Sequence, residues 1–134
     1  MQPRLGIYIH IPFCASKCGY CDFYSCAGAA ERMAEYQQAL LEHIEESAGR
    51  IAPAYIDTVY FGGGTPSFYG AARLIELLDA VKATGRLLKR AEVTVEVNPD
   101  SVRLHDLRAL RKAGFNRPVS YTHLRAHETS AHLV

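Results

Sequence analysis

The sequence predicts an α/β fold in which βα units build a parallel sheet. Runs of β-branched and aromatic residues alternate three times with runs of helical period, and each run stops at glycine or proline punctuation. Such alternation favours βαβ units joined by right-handed crossovers. The segments richest in chemically capable residues also fall directly after strands, where parallel α/β folds gather their ligands.

The first run, Gly-Ile-Tyr-Ile-His-Ile at 6–11, reads as a strand ended by Pro12. A loop holding every cysteine follows. Over 31–48, Met33, Tyr36, Leu40, Leu41 and Ile44 recur at helical spacing among Glu, Gln and His, which predicts an amphipathic helix ending near Gly49. The second strand spans 56–61 and meets Gly62-Gly63-Gly64. Leu74, Leu77, Leu78 and Val81 share one face of a helix over 71–84, closed by Gly85. The third strand, 93–97, breaks at Asn98-Pro99, and a third helix over 106–113 stops at Gly114.

With 134 residues the chain suffices for one modest domain. Its hydrophobic fraction of 49%, charged fraction of 22% and net charge of +1 are those of an ordinary globular protein. Acids and bases are mixed along the chain, so no basic face marks it as a nucleic-acid binder. No apolar run approaches the roughly 20 residues that span a bilayer. His10 and Pro12 interrupt the only apolar stretch near the N-terminus, so no signal peptide is expected and the predicted location is cytoplasmic.

All four cysteines lie between positions 14 and 26. A secreted domain would spread its cysteines to close long loops; crowded thiols point to metal or redox chemistry. Cys14-x3-Cys18-x2-Cys21 offers three thiolates, which suit a 4Fe–4S cube with one iron left open to another ligand. The alternative is a zinc site that recruits Cys26, although zinc usually takes paired C-x2-C knuckles with a long spacer. Cys26 is either a fourth ligand or a small residue beyond the loop. Lys17 either balances cluster charge or is a solvated surface lysine.

Gly62-Gly63-Gly64-Thr65-Pro66 lets backbone atoms approach a ligand closely, but it has neither the P-loop nor the dinucleotide pattern. Glu96 ends an otherwise apolar strand, where a carboxylate is costly unless paired. It pairs either with a ligand or with a neighbouring helix. His10 reads as a hydrogen-bonded structural histidine, and His43 and His105 as residues on solvated helix faces.

Taken together, Tyr8-Ile9-His10-Ile11-Pro12-Phe13-Cys14, Cys18-Gly19-Tyr20-Cys21-Asp22-Phe23, Phe61-Gly62-Gly63-Gly64-Thr65-Pro66-Ser67, Glu96-Val97-Asn98-Pro99 and Ala113-Gly114-Phe115-Asn116-Arg117 closely resemble the radical S-adenosylmethionine (SAM) coproporphyrinogen III oxidase-like family over residues 4–117. The resemblance implies the N-terminal βα units of a partial, truncated (β/α)6 TIM-like barrel. It also implies a 4Fe–4S cluster on Cys14, Cys18 and Cys21, with SAM contacted by Tyr8, Gly63, Gly64, Thr65 and Glu96. Tyr20 fits the aromatic position that lies against the adenine, with plain packing as its other role. Oxidases of the family carry Cys-x-Cys at the end of the cysteine motif and a longer leading segment. Here Asp22-Phe23 follows Cys21, as in the HemW-type haem chaperone branch.

That branch implies binding of cluster, SAM and haem, with delivery of haem to an acceptor protein. The oxidase branch implies radical decarboxylation of coproporphyrinogen propionates to vinyls. Either implies an electron donor such as flavodoxin or ferredoxin. The family is considerably longer than this chain and its barrel needs later strands, so this chain alone is expected to be poorly soluble and inactive.

Residues 118–134 are expected to be a non-native tail. The family continues with a fourth strand of Ile-Ser-Ile-Gly character, whereas Val119 to Thr129 resembles one reading frame of a transposon-end sequencing adapter. The rival is a metal site on His123, His127 and His132. Resequencing the genomic locus is expected to replace the codons after Arg117 with that fourth strand; recovery of the same codons would refute an adapter origin.

Overall fold

The structure, a computed structural model, describes residues 3–13, 29–99 and 102–120. Its elements run β1 (Arg4–Ile11), α1 (Ala29–Ile51), β2 (Tyr55–Gly63), α2 (Pro66–Tyr69), α3 (Ala71–Ala83), β3 (Leu87–Val97), α4 (Leu104–Ala113) and β4 (Arg117–Ser120). The strands lie in the order β1-β2-β3-β4, and every neighbouring pair is parallel. The expected α/β architecture is therefore present.

Register follows from side-chain alternation. Tyr8 stands beside Tyr60, Tyr60 beside Thr94, and Thr94 beside Arg117. The intervening residues Ile9, Ile11, Val59, Phe61, Val93 and Val95 point the other way and are buried. They form one core with Met33 of α1, Leu74, Leu77, Leu78 and Val81 of α3, and Leu110 of α4. The helices thus cover one sheet face, and the face carrying Tyr8, Tyr60 and Glu96 has no described helix over it.

The boundaries show what the sequence pattern obscured. β3 starts at Leu87 because exposed Lys89 and Arg90 extend a strand whose apolar alternation begins only at Ala91. Ile56 pairs with Leu87 but Thr58 with Glu92, so the early part of β3 bulges away from β2. α1 runs past Gly49 to Ile51; a Cβ at Gly49 would meet nothing, so no contact enforces a stop there. Gly114 caps α4 with a φ of 125°, its N–H donating to the Leu110 and Arg111 carbonyls. Pro118, Val119 and Ser120, set apart above with the tail, pair with β3 as part of β4. Asn116 brings the chain there: its amide nitrogen donates to Ala91 O at 3.0 Å, and its side-chain oxygen accepts from Val93 N at 2.8 Å. Residues 121–134, including His123, His127 and His132, lie outside the described residues.

The helical layer is tied by one buried polar group. The Tyr69 hydroxyl donates to Gln37 Oε1 at 2.7 Å, and Gln37 Nε2 donates to Glu76 Oε1 at 2.7 Å and to Arg73 O at 3.1 Å. Burial pushes the Tyr69 phenol up to about 12, against the pull of the nearby Arg73 guanidinium. The neutral phenol is the form the fold favours. Its contribution is complete below the ordinary tyrosine value of about 10 and is lost as pH rises through about 12. Urea midpoints are expected to fall across this alkaline window. Tyr69→Phe should be less stable at neutral pH yet lose less on alkalinisation; an unchanged alkaline slope would contradict this account.

Candidate functional site

The parallel sheet sends the C-terminal ends of β1, β2 and β3 to one edge, and the site is built there. Continuing the register from Phe61↔Val95 by one residue brings Gly62 beside Glu96. A Cβ on Gly62 would sit 2.9 Å from Glu96 Oε2 and 2.7 Å from Tyr60 Cε1. The Glu96 side chain therefore leans across β2 into the space a side chain would fill. Two donors hold it: the Tyr60 hydroxyl at 2.6 Å from Oε2, and the Gly63 N–H at 3.1 Å from Oε1. Among the described residues no ion pair reaches Glu96; Arg117, on the same face, pairs with Glu92 at 3.6 Å.

Tyr8 extends the site towards β1. Its ring stacks on Tyr60 with centroids 5.9 Å apart, and its hydroxyl lies 3.1 Å from His10 Nδ1. With 57% of its surface exposed, Tyr8 offers a large aromatic face to a ligand. Burial, the Glu96 hydrogen bond and the Glu96 charge push the Tyr60 phenol far above its usual range. Burial and the same charge also raise Tyr8. Both phenols are hydroxyl donors across the neutral range.

The glycine triplet also holds the entrance to the cysteine loop. Gly64 N donates to Ile11 O and Thr65 N to Phe13 O, each at 2.6 Å. A Cβ on Gly64 would come within 2.6 Å of Phe13 O and 2.8 Å of Phe13 N, so only glycine fits without moving the backbone. Gly63, at φ +117°, turns the chain against the His10 ring. Thr65 is buried, and its carbonyl accepts from Phe68 N to open α2. Across the same edge, Ser67 Oγ accepts from Asn98 N at 3.1 Å.

Of the residues singled out from sequence, Tyr8, Gly63, Gly64, Thr65 and Glu96 thus share one end of the sheet. His10 is hydrogen-bonded as expected, and His43 and His105 are exposed. Cys14, Cys18, Cys21, Tyr20, Lys17 and Cys26 lie outside the described residues. Among the described residues no group of three or more His, Cys, Asp or Glu gathers as a metal site, and no helix is long and apolar enough to cross a membrane. The sequence reading missed Tyr60, taken there only as strand, and the separate role of Gly62.

The family model of the radical SAM superfamily matches residues 8–121, most of the chain, and the chain belongs to that superfamily. Its relatives narrow the likeness. It is 40% identical over 119 residues to "Heme chaperone HemW" of Mycobacterium tuberculosis (strain CDC 1551 / Oshkosh), covering 87% of this chain and 30% of that protein. It is 39% identical over 116 residues to "Heme chaperone HemW" of Escherichia coli K12, covering 86% and 31%. Among solved structures it is similar to coproporphyrinogen III oxidase (HemN) from Escherichia coli, a radical SAM enzyme. The TM-score is 0.76 at 29% identity, over 89% of this chain and 27% of that one. The chain thus spans about three-tenths of the length of these relatives, and its four-stranded parallel sheet matches part of a radical SAM TIM-like fold.

Membership implies a 4Fe–4S cluster and SAM. The donor set suits SAM: a carboxylate oriented by two neutral donors keeps lone pairs for the hydroxyl and ammonium donors of a cationic ligand.

The two crowded glycines should respond differently. Gly64→Ala forces a Cβ onto Phe13 backbone and is expected to cost about 1–3 kcal/mol in urea denaturation. Gly62→Ala meets only side-chain atoms and should unfold closer to wild type, while the Tyr60 phenol, freed from Glu96, titrates at lower pH in an ultraviolet titration. Equal destabilisation by both would contradict the geometry.

Proposed function

We propose that this chain is the cluster- and SAM-binding part of a HemW-like haem chaperone, a protein that binds haem and delivers it to an acceptor. The observation that carries the reading is Glu96, held across Gly62 at the strand edge where the cysteine loop begins. Its likeness to proteins named heme chaperone HemW, together with Asp22-Phe23 after Cys21, favours the chaperone branch.

In this reading Cys14, Cys18 and Cys21 would hold the cluster as thiolates and leave it open to SAM. Glu96 accepts from the hydroxyl or ammonium donors of SAM, and the Gly63 and Gly64 carbonyls and Thr65 hydroxyl serve its methionine amino group. Tyr8 would line the site and Tyr20 would lie against the adenine. Cluster and SAM together supply one-electron chemistry, and the protein orients them and excludes water. Flavodoxin or ferredoxin is the kind of reductant this requires. A reducing, cytoplasmic compartment suits thiols crowded in one loop.

A second reading is an oxygen-independent coproporphyrinogen III oxidase, favoured by the structural likeness to the Escherichia coli enzyme and by a relative of that name in Salmonella typhimurium at 32% identity. Anaerobic reconstitution of the protein the locus encodes is expected to give the broad visible charge-transfer absorption of a thiolate-held cluster; a colourless zinc protein would overturn both readings. Replacing Cys14, Cys18 and Cys21 together with Ala should abolish it. Haem titration should then give stable binding without decarboxylation of coproporphyrinogen, and turnover without stable haem binding would establish the oxidase.

A further inference from the structure

We infer that Tyr60 is the positioning residue for Glu96, its hydroxyl fixing the carboxylate across β2 so that the remaining lone pairs face the ligand. This rests on the SAM reading of the site and adds a residue which that reading does not assign.

Geometry carries the inference. From the neighbouring strand, a glutamate without a second anchor has three side-chain torsions to settle. Here Gly62 leaves the space, Tyr60 donates from two residues earlier on β2, and Gly63 N donates from one residue later. Each donor takes a different carboxylate oxygen, so the plane of the group is set as well as its place. A tyrosine kept only for packing would need no such partner: its ring already stacks on Tyr8, and phenylalanine would stack equally well. The hydroxyl is therefore the feature to explain. Hydrogen bonds to charged groups are among the stronger ones, and this one is 2.6 Å long. A phenol and an amide orient the carboxylate without cancelling its charge, as a lysine or arginine would.

The test is a double-mutant cycle on SAM affinity, measured by calorimetry on the anaerobically reconstituted protein the locus encodes. Tyr60→Phe keeps the ring and is expected to weaken SAM binding roughly tenfold. In a Glu96→Ala background the same change should cost nothing further, because the hydroxyl then has nothing to position. Equal losses in both backgrounds would make Tyr60 a packing residue and overturn the proposal. So would a Tyr60→Phe protein that binds SAM like wild type while Glu96→Ala does not, with the SAM reading left standing. Normal affinity in Glu96→Ala would sink the reading and the proposal together. A Tyr60→Phe protein that fails to fold, seen by circular dichroism, would make the hydroxyl structural and also overturn it.

Discussion

Parallel pairing of β1, β2 and β3 in a fixed register is the constraint on which the rest of the molecule depends. Parallel strands deliver their C-terminal ends to one edge, and side-chain alternation sorts each residue to the face beneath the helices or to the opposite face. Tyr8, Tyr60 and Thr94 form one row of that face, and His10, Gly62 and Glu96 form the next. A slip of one residue would send Glu96 into the apolar layer beneath α3 and bring Val95 to the site. The buried run of Val93, Val95 and Val97 opposes that slip, so the hydrophobic core and the site geometry are specified by the same alternation.

The three consecutive glycines answer three different demands. Gly62 leaves the space that Glu96 fills, Gly63 takes a φ that L-residues rarely adopt and lends its N–H, and Gly64 lets its backbone meet that of Phe13. The third contact links two motifs far apart in sequence. Gly64 and Thr65 bind the carbonyls of Ile11 and Phe13, which fixes the last described residues before Cys14. Phe13 is thereby held at the same sheet edge as Glu96.

Most of the fold was legible because core burial imposes period on sequence. The six expected elements all appear, with errors where period fails. Lys89 and Arg90 mask the start of β3, and four residues after Thr65 are too few for α2 to show a helical repeat. β4 is set by Asn116 and by the free edge of β3 rather than by its own pattern. In the site, Glu96 stood out as a carboxylate among valines, and the glycine triplet as a break. Tyr60 did not, since an aromatic residue in a strand is ordinary until the register supplies its partner, 36 positions away. Pairings across strands are invisible to any reading that moves along the chain.

The electrostatic balance of the site is the last consequence of that register. A half-buried carboxylate is usually neutralised by a cation, and Arg117 stands in the adjacent row. It is drawn instead towards Thr94 and Glu92, while among the described residues Glu96 receives a phenol and a backbone amide. Neutral donors lower the cost of burying the charge without cancelling it. An arginine in their place would satisfy the carboxylate and end its attraction for a positively charged ligand. The site thus favours a cation by orienting a negative charge without quenching it, and the sulfonium and ammonium groups of SAM have the complementary sign.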